Sequence, residues 1–327
     1  MTLADTQIRR AVVTGASGFV GRRLCAELES DGIEVTAVHR HACTGPWTHE
    51  VVVDLSGNLD VAHWLQDVDV VFHLAGNAHA TDTPVSAEVH HLATVVATRH
   101  LLASCAQHGV SRLVFASTVK AVADPGTTCI DETFSAAPTT AYGLAKRAAE
   151  DDIFQWAQAA GRHAVVLRPT LLLGAGVKGN FRRLLDAVRR GRFPPLPDWQ
   201  NHRSVLHVDD FVLALRLAAV HPAVAGERLF VCFPTPYSTR DMVNAVRAAI
   251  GRPDVSFQIP EMMWYVVAGV GDVLGSLTGR RAPFDHEHLA RLKESAQYDS
   301  ARLEMLTGFV ATKGLDAAVI DLLKESN

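Results

Sequence analysis

Positive charge is not in excess in this chain: 31 Lys and Arg stand against 35 Asp and Glu, for a formal net charge of −4. No basic face or tail stands out, which argues against a nucleic-acid partner held mainly by charge. Cysteine is sparse as well. Cys25, Cys43, Cys105, Cys129 and Cys232 are odd in number, scattered, and never at metal-ligand or redox-motif spacing, so reduced thiols in a cytosolic protein are expected. Long apolar runs are missing. The longest, 262–277, is short for a bilayer span and carries Asp272 and three glycines. A packed helix is the favoured reading, with a membrane-surface or subunit-contact helix as alternatives. Residues 1–7 place acidic and polar side chains ahead of any apolar run, unlike the basic-then-apolar order of a signal peptide. A cytoplasmic protein with no membrane span is therefore expected.

Histidine is plentiful, 16 in all, yet a metal site is not expected. His39/His41, His90-His91 and His286-Glu287-His288 are the tightest groupings, and none has a helical two-His pattern with a following third ligand.

The 327 residues allow one large or two modest domains. Up to residue 169, β-branched runs alternate with helical patterns, the signature of βαβ units and a parallel sheet. Strands are predicted at 10–14, 34–39, 50–53, 68–74, 112–116 and 164–168, and helices at 20–30, 59–66, 87–107 and 141–160. Beyond Pro169 glycine and proline thicken and the alternation loosens. The expected architecture is α/β: a doubly wound Rossmann sheet over 1–173, with 205–235 returning to it. A smaller C-terminal α/β substrate domain would be formed by 174–204 and 236–327.

The loop Gly15-Ala16-Ser17-Gly18-Phe19-Val20-Gly21 follows the first strand and opens the first helix. Its first glycine permits a tight turn and its second lets backbone approach a pyrophosphate. The third lets the helix pack closely, with the helix N-terminus facing the anion. A dinucleotide is the expected ligand. Sites that prefer NAD usually place a carboxylate at the end of the second strand, on the ribose 2′-hydroxyl. Here His39-Arg40 stands there, with no carboxylate close behind in sequence, and Arg40 suits a 2′-phosphate. NADP(H) is favoured, with NAD as the alternative and a solvated Arg40 as the bland reading. Asp54-Leu55 suits contact with an adenine amino group, or a turn capping the predicted 59–66 helix.

Tyr142 and Lys146 lie four residues apart, one turn along a predicted helix. An adjacent ammonium favours phenolate over phenol, bringing tyrosine toward an acid–base range. Such a tyrosine can exchange a proton with an alcohol or carbonyl while a nicotinamide exchanges hydride. The spacing alone is common. Around it, Leu74-Ala75-Gly76, Ser117-Thr118 and Arg168-Pro169 end successive strands, the edge where open α/β sheets bind ligands.

Together, the glycine loop, Asp54-Leu55, His73-Leu74-Ala75-Gly76, Ser117-Thr118, Tyr142-Gly143-Leu144-Ala145-Lys146 and Arg168-Pro169 resemble the extended short-chain dehydrogenase/reductases. The later Arg203–Asp210 stretch extends the resemblance over nearly the whole chain. It implies a nucleotide-sugar epimerase, dehydratase or reductase. Tyr142 would be the acid/base, Lys146 would bind the nicotinamide ribose and lower the tyrosine pKa, and Thr118 would bond the substrate oxygen. Dehydratases of the family carry Asp-Glu after the active-site Thr; Val119-Lys120 stand here, against dehydration. The stretches 117–122, 174–181 and 201–210 look like the branch of UDP-N-acetylhexosamine 4-epimerases and UDP-4-keto-6-deoxyhexosamine reductases. That resemblance places Asn180 on the substrate and Arg203 on its diphosphate, with Arg291 as a second phosphate partner or a surface charge. Thr94 replaces an expected Asn. A homodimer acting on a UDP- or dTDP-sugar is implied. Hydride transfer at C4 is expected, as reduction of a 4-keto sugar by NADPH or, alternatively, as 4-epimerisation with retained NAD. A non-catalytic NAD(P)-sensing protein is the remote alternative.

Overall fold

A computed structural model describes residues 8–57, 59, 62–76, 86–254, 259–278 and 284–325. Seven parallel strands form the central sheet: β1 (Arg10–Thr14), β2 (Glu34–His39), β3 (His49–Val52), β4 (Val70–His73), β5 (Arg112–Ala116), β7 (His163–Pro169) and β10 (Arg228–Val231). Their order is β10-β7-β5-β4-β1-β2-β3, so the winding direction reverses between β1 and β4. That reversal opens a crevice at the carboxyl ends of the strands.

Period-two alternation assigns side chains to two cores. Ala11 and Val13 of β1 join α1 (Phe19–Ser30) and α6 (Val208–Val220) on one face. Val12 joins α3 (Ala97–Gln107) and α4 (Ala141–Gln158) on the other. A third core gathers β8 (Leu171–Leu173), β9 (Val205–His207), α5 (Asn180–Arg189), α7 (Thr239–Ala249), α8 (Glu261–Thr278), α9 (His286–Lys293) and α11 (Leu315–Glu325). A small β6 (Cys129–Ile130) pairs with β11 (Gln297–Tyr298), and α10 (Ala301–Thr307) backs the Rossmann sheet.

Two predicted helices take other forms. Among the described residues of 59–66 the helical element is a 3₁₀ turn, His63–Leu65. Its buried apolar residues Leu59, Ala62 and Leu65 recur every three positions, the period of a 3₁₀ and not an α-helix. The predicted 87–107 helix is interrupted. After α2 (Ala87–His90), a π-helical turn spans His91–Val96 before α3 begins. Inserted π turns re-aim the residues that follow them.

One buried carboxylate stitches the site end of the sheet together. Glu150 lies four residues beyond Lys146 on α4 and has no solvent exposure. It accepts from Ser117 Oγ at 2.5 Å, from Arg168 Nε at 2.9 Å and Nη2 at 2.5 Å, and from Arg228 Nε at 3.2 Å. Helix α4, strands β7 and β10, and the residue after β5 thus converge on one side chain. Removing one partner of a buried ion pair leaves uncompensated charge, at a cost of about 3–5 kcal/mol. Glu150→Ala is expected to lower the unfolding free energy by that order in urea titration. Asp151→Ala, which removes an exposed partner of Arg228, should change it by under about 1 kcal/mol. Equal small effects in the two variants would contradict this role.

Candidate active site

The crevice is a cleft of about 870 Å³, and every residue of the expected cofactor set lines it, from Gly15 to Pro169. Gly15 sits at φ +70°, and a Cβ there would lie 2.8 Å from the Ala75 nitrogen. At Gly21 a Cβ would fall 2.3 Å from the Gly15 carbonyl oxygen, so the start of α1 is pressed onto the turn. Gly18 caps α1 without a side-chain hydrogen bond, leaving first-turn amides available to an anion. Ser17, Phe19 and Val20 complete this wall. The cradle fits a dinucleotide pyrophosphate.

At the end of β2 the structure corrects one expectation. A carboxylate does stand near His39, supplied by the neighbouring strand: His39 Nε2 lies 2.6 Å from Glu50 Oε1, which also accepts from the Cys43 amide at 2.8 Å. These bonds hold Glu50 below the usual carboxylate range, the amide being the larger cause. His39 is buried against Trp47, so it is engaged before any ligand arrives. Arg40 is exposed and lines the cleft. Asp54 lines it beside Leu55, but its Oδ1 is taken by the Ser56 amide at 2.9 Å and hydroxyl at 2.7 Å. It caps its own turn, with no 59–66 helix to cap.

Beneath the shelf Leu74-Ala75-Gly76 runs a buried chain. The Ala75 amide donates to Thr14 Oγ1 at 3.2 Å, and Thr14 Oγ1 is 2.7 Å from His73 Nδ1. His73 Nε2 is 2.9 Å from Thr98 Oγ1, which donates to the Thr94 carbonyl at 2.6 Å. Each hydroxyl has one proton. Thr98 spends its proton on Thr94, so His73 must carry its own on Nε2 and accept at Nδ1. Burial, with Lys146 nearby, pushes the His73 pKa down to about 3, and the ring stays neutral.

Lys146 Nζ donates to the Ala116 carbonyl at 2.9 Å and stands 4.4 Å above the Phe115 ring centre. Burial lowers its pKa to about 8, partly offset by Glu150. A Cβ on Gly76 would lie 3.2 Å from that Nζ, so only glycine keeps the shelf open over the ammonium. Tyr142 hydrogen-bonds with Thr118, yet burial dominates and pushes the phenol up to about 12. The expected lowering by Lys146 is therefore not seen here: the ammonium is spent on a carbonyl and a ring face, and the phenol stays protonated. Ser117 lines the cleft, but its hydroxyl is committed to Glu150.

The expected substrate residues separate. Thr118 and Arg203 line the cleft; Asn180 and Arg291 do not. Asn180 is the exposed first residue of α5. Arg291 pairs with Glu287 one turn away and is half exposed. Its guanidinium lies on the surface of its own helix, away from the cleft lining, as in the surface-charge alternative. Arg203 donates through Nε to the Glu294 carbonyl at 2.9 Å and through Nη2 to the Arg291 carbonyl, with the Glu294 carboxylate 3.8 Å away. These two bonds leave three of its five N–H donors uncommitted to a backbone carbonyl.

Sequence reading missed Lys178 and Glu294, both lining the cleft, and His90, whose buried ring packs 5.6 Å from that of Tyr142. Of these only Lys178 carried a signal, being a cation in a glycine-rich loop. Thr94, the departure from the expected Asn, is buried with its Oγ1 unpartnered among the described residues. It lies 3.9 Å from where a Gly76 Cβ would be, so a donor or acceptor of a ligand above Gly76 would satisfy it.

Residues 11–232 match the NAD dependent epimerase/dehydratase family. A UDP-glucose 4-epimerase of Vibrio cholerae is 30% identical over 295 residues, covering 85% of this chain and 88% of its own. A 2-alkyl-3-oxoalkanoate reductase of Stenotrophomonas maltophilia (strain K279a) is 30% identical over 285 residues, covering 82% and 84%. The solved structure of MoeE5 in complex with UDP-glucuronic acid and NAD is 25% identical, with a TM-score of 0.76 over 97% of this chain and 98% of that one. The similarity thus extends to an epimerase and an oxoalkanoate reductase alike. The chain belongs to the NAD dependent epimerase/dehydratase family.

Proposed function

We propose that the protein transfers hydride at C4 of a nucleotide-activated sugar and that its net reaction is reduction of a 4-keto sugar, with NADPH as the favoured reductant. The observation that carries this reading is the protonated Tyr142 phenol beside Thr118, at the inner end of a dinucleotide-shaped cleft. A ketone oxygen that gains hydride at its carbon needs a proton at once. Tyr142 donates it, and Thr118 hydrogen-bonds the same oxygen. Lys146 holds the nicotinamide ribose, and the glycine cradle holds the pyrophosphate. When bound, the nicotinamide supplies the hydride. Arg203 and Lys178, the cations at the outer cleft, are placed for the nucleotide diphosphate. Exposed Arg40 favours a 2′-phosphate.

A second reading has its own support. The Vibrio cholerae relative is a 4-epimerase, and epimerisation uses the same tyrosine in both directions. The two readings differ in net reaction. Purified protein given a 4-keto UDP-sugar is expected to oxidise NADPH faster than NADH. Interconversion of C4 epimers without added cofactor, with NAD released on denaturation, would establish the epimerase instead.

Tyr142→Phe should cut turnover at least about a hundredfold, the scale of general acid–base catalysis, while cofactor affinity holds. Near-normal steady-state turnover would remove Tyr142 from the chemistry. The third expectation concerns pH. With its pKa at about 8 in place of 10.5, Lys146 is charged below pH 8 and loses its proton as pH rises through that value. An ammonium that clamps a ribose binds best charged, so cofactor affinity in titration calorimetry should weaken from pH 7 to pH 9. Lys146→Met should bind weakly and without that slope. A flat wild-type profile would take the ammonium off the ribose.

A further inference from the structure

Three residues of the cleft lining keep a buried side-chain polar atom without a hydrogen-bond partner among the described residues: His39, Thr170 and Tyr298. His39 is engaged through its other ring nitrogen, on Glu50. Thr170 and Tyr298 have no second polar atom, and both residues are more than nine-tenths buried, at 6% and 5% exposure. A hydroxyl hidden from water without a partner is destabilising, and native folds keep few of them.

Neither residue is loose. The Tyr298 amide donates to Ser204 Oγ at 3.0 Å, and its carbonyl accepts from Cys232 Sγ at 3.1 Å. Its ring meets Phe230 edge-on, with ring centres 5.2 Å apart. The Thr170 amide donates to the Val231 carbonyl at 3.1 Å. Phe230 and Val231 are the last two residues of β10, so both hydroxyl-bearing residues are fixed beside one strand end. That strand is an edge of the sheet, with β7, β5 and β4 between it and the glycine cradle at β1. The cradle for the dinucleotide pyrophosphate therefore does not account for them.

Burial, helped by Asp124 and Glu294, raises the Tyr298 phenol above the usual tyrosine range, so it keeps its proton and can donate. The Thr170 hydroxyl can donate or accept. Two neutral hydroxyls suit uncharged oxygens on a ligand. An alkyl group in their place would leave both unsatisfied, and buried polar groups left unpaired are what reject such an analogue.

We propose that Thr170 and Tyr298 are specificity-determining residues that hydrogen-bond uncharged oxygens on the sugar of the substrate, selecting a hydroxylated substrate over an alkyl one. This rests on the sugar reading above and deepens it, since Arg203 and Lys178 serve the diphosphate and these two side chains read the sugar.

The test is steady-state turnover of the 4-keto UDP-sugar with NADPH in Thr170→Val and in Tyr298→Phe, with UDP as a competing ligand. In each variant KM for the sugar should rise at least about fivefold, the size of one hydrogen bond between neutral groups. The turnover number and the inhibition constant of UDP should stay at their wild-type values, as for lost binding to the sugar alone. Thermal unfolding without ligand gives a readout independent of turnover. Each variant should melt at the wild-type temperature or above it, because the hydroxyl removed had no partner to lose. An unchanged KM in an active variant overturns the assignment for that residue. Weaker inhibition by UDP overturns it too, by moving the contact to the nucleotide, and a lower melting temperature does so by revealing a partner within the protein. Wild type that does not turn the sugar over counts against the sugar reading, and the inference falls with it; an active wild type with unaffected variants sinks the inference alone.

Discussion

The active end of this molecule depends on a single carboxylate that cannot be left alone. Glu150 is wholly buried, and an unpaired charge at that depth would be among the costliest groups in the fold. Its partners come from three neighbouring strands or the residue just past one. Arg168 holds it from β7 and Arg228 from β10, while Ser117 holds it from just past β5. Ser117 is flanked by the Ala116 carbonyl that receives Lys146 and by Thr118 that meets Tyr142. Because Glu150 and Lys146 share one face of α4 at four-residue spacing, one side chain sets the depth of the helix and the end of the strand together. Arg168 also stacks on Phe230, so the charge pair is closed off by an aromatic face from the edge strand. Local order at the chemistry is inherited from packing behind it.

In front of that network, the site is built from neutral partners. Lys146 rests on a carbonyl and an aromatic ring, His73 is neutral, and Tyr142 is a buried phenol with a hydroxyl neighbour. No carboxylate touches the ammonium; Glu150 acts on it only at a distance. Burial therefore governs the acid–base state of both Tyr142 and Lys146, lowering the lysine and raising the tyrosine. A sequence shows that Tyr142 and Lys146 are one turn apart but not how deep that turn lies. The expectation that the ammonium would pull the tyrosine toward neutrality failed on that account. Proximity in sequence was right, and desolvation outweighed it.

The legible parts were those in which the physics is local. A strand, a turn that needs positive φ at Gly15 and a helix pressed on that turn at Gly21 must be adjacent in the chain, so the cradle could be read directly. Continuous apolar strands likewise announced a parallel sheet buried on both faces. What failed depended on neighbours far away in sequence. Glu50 reaches His39 across the β2–β3 pairing, where linear spacing from the glycine loop has no meaning. The π turn at His91–Val96 leaves no compositional trace, yet it carries Thr94, where the Thr94–Thr98–His73 chain beneath the Leu74-Ala75-Gly76 shelf begins. Arg291 and Lys178 are both cations in the right half of the chain. Only the course of the backbone shows that one folds onto its own helix while the other lines the cleft.

The choice between reduction and epimerisation follows the same division. Under the proposed reading Thr118, Tyr142 and Lys146 would serve either reaction, since both move a proton and a hydride at one carbon, once in reduction and twice in epimerisation. What separates the two is whether the cofactor leaves between turnovers and whether the sugar can turn while its nucleotide stays anchored. Those properties are not set by these three side chains, and Arg40, Lys178, Arg203 and Glu294 are further charged groups in the same cleft lining. Arg203 is tied to two backbone carbonyls before any diphosphate arrives. These bonds tie Arg203, in the cleft lining, to α9 and the segment that follows it. Lys293, the last residue of α9 and its link to Glu261 of α8, directly precedes that segment, so the stretch joins the cleft lining to the third core.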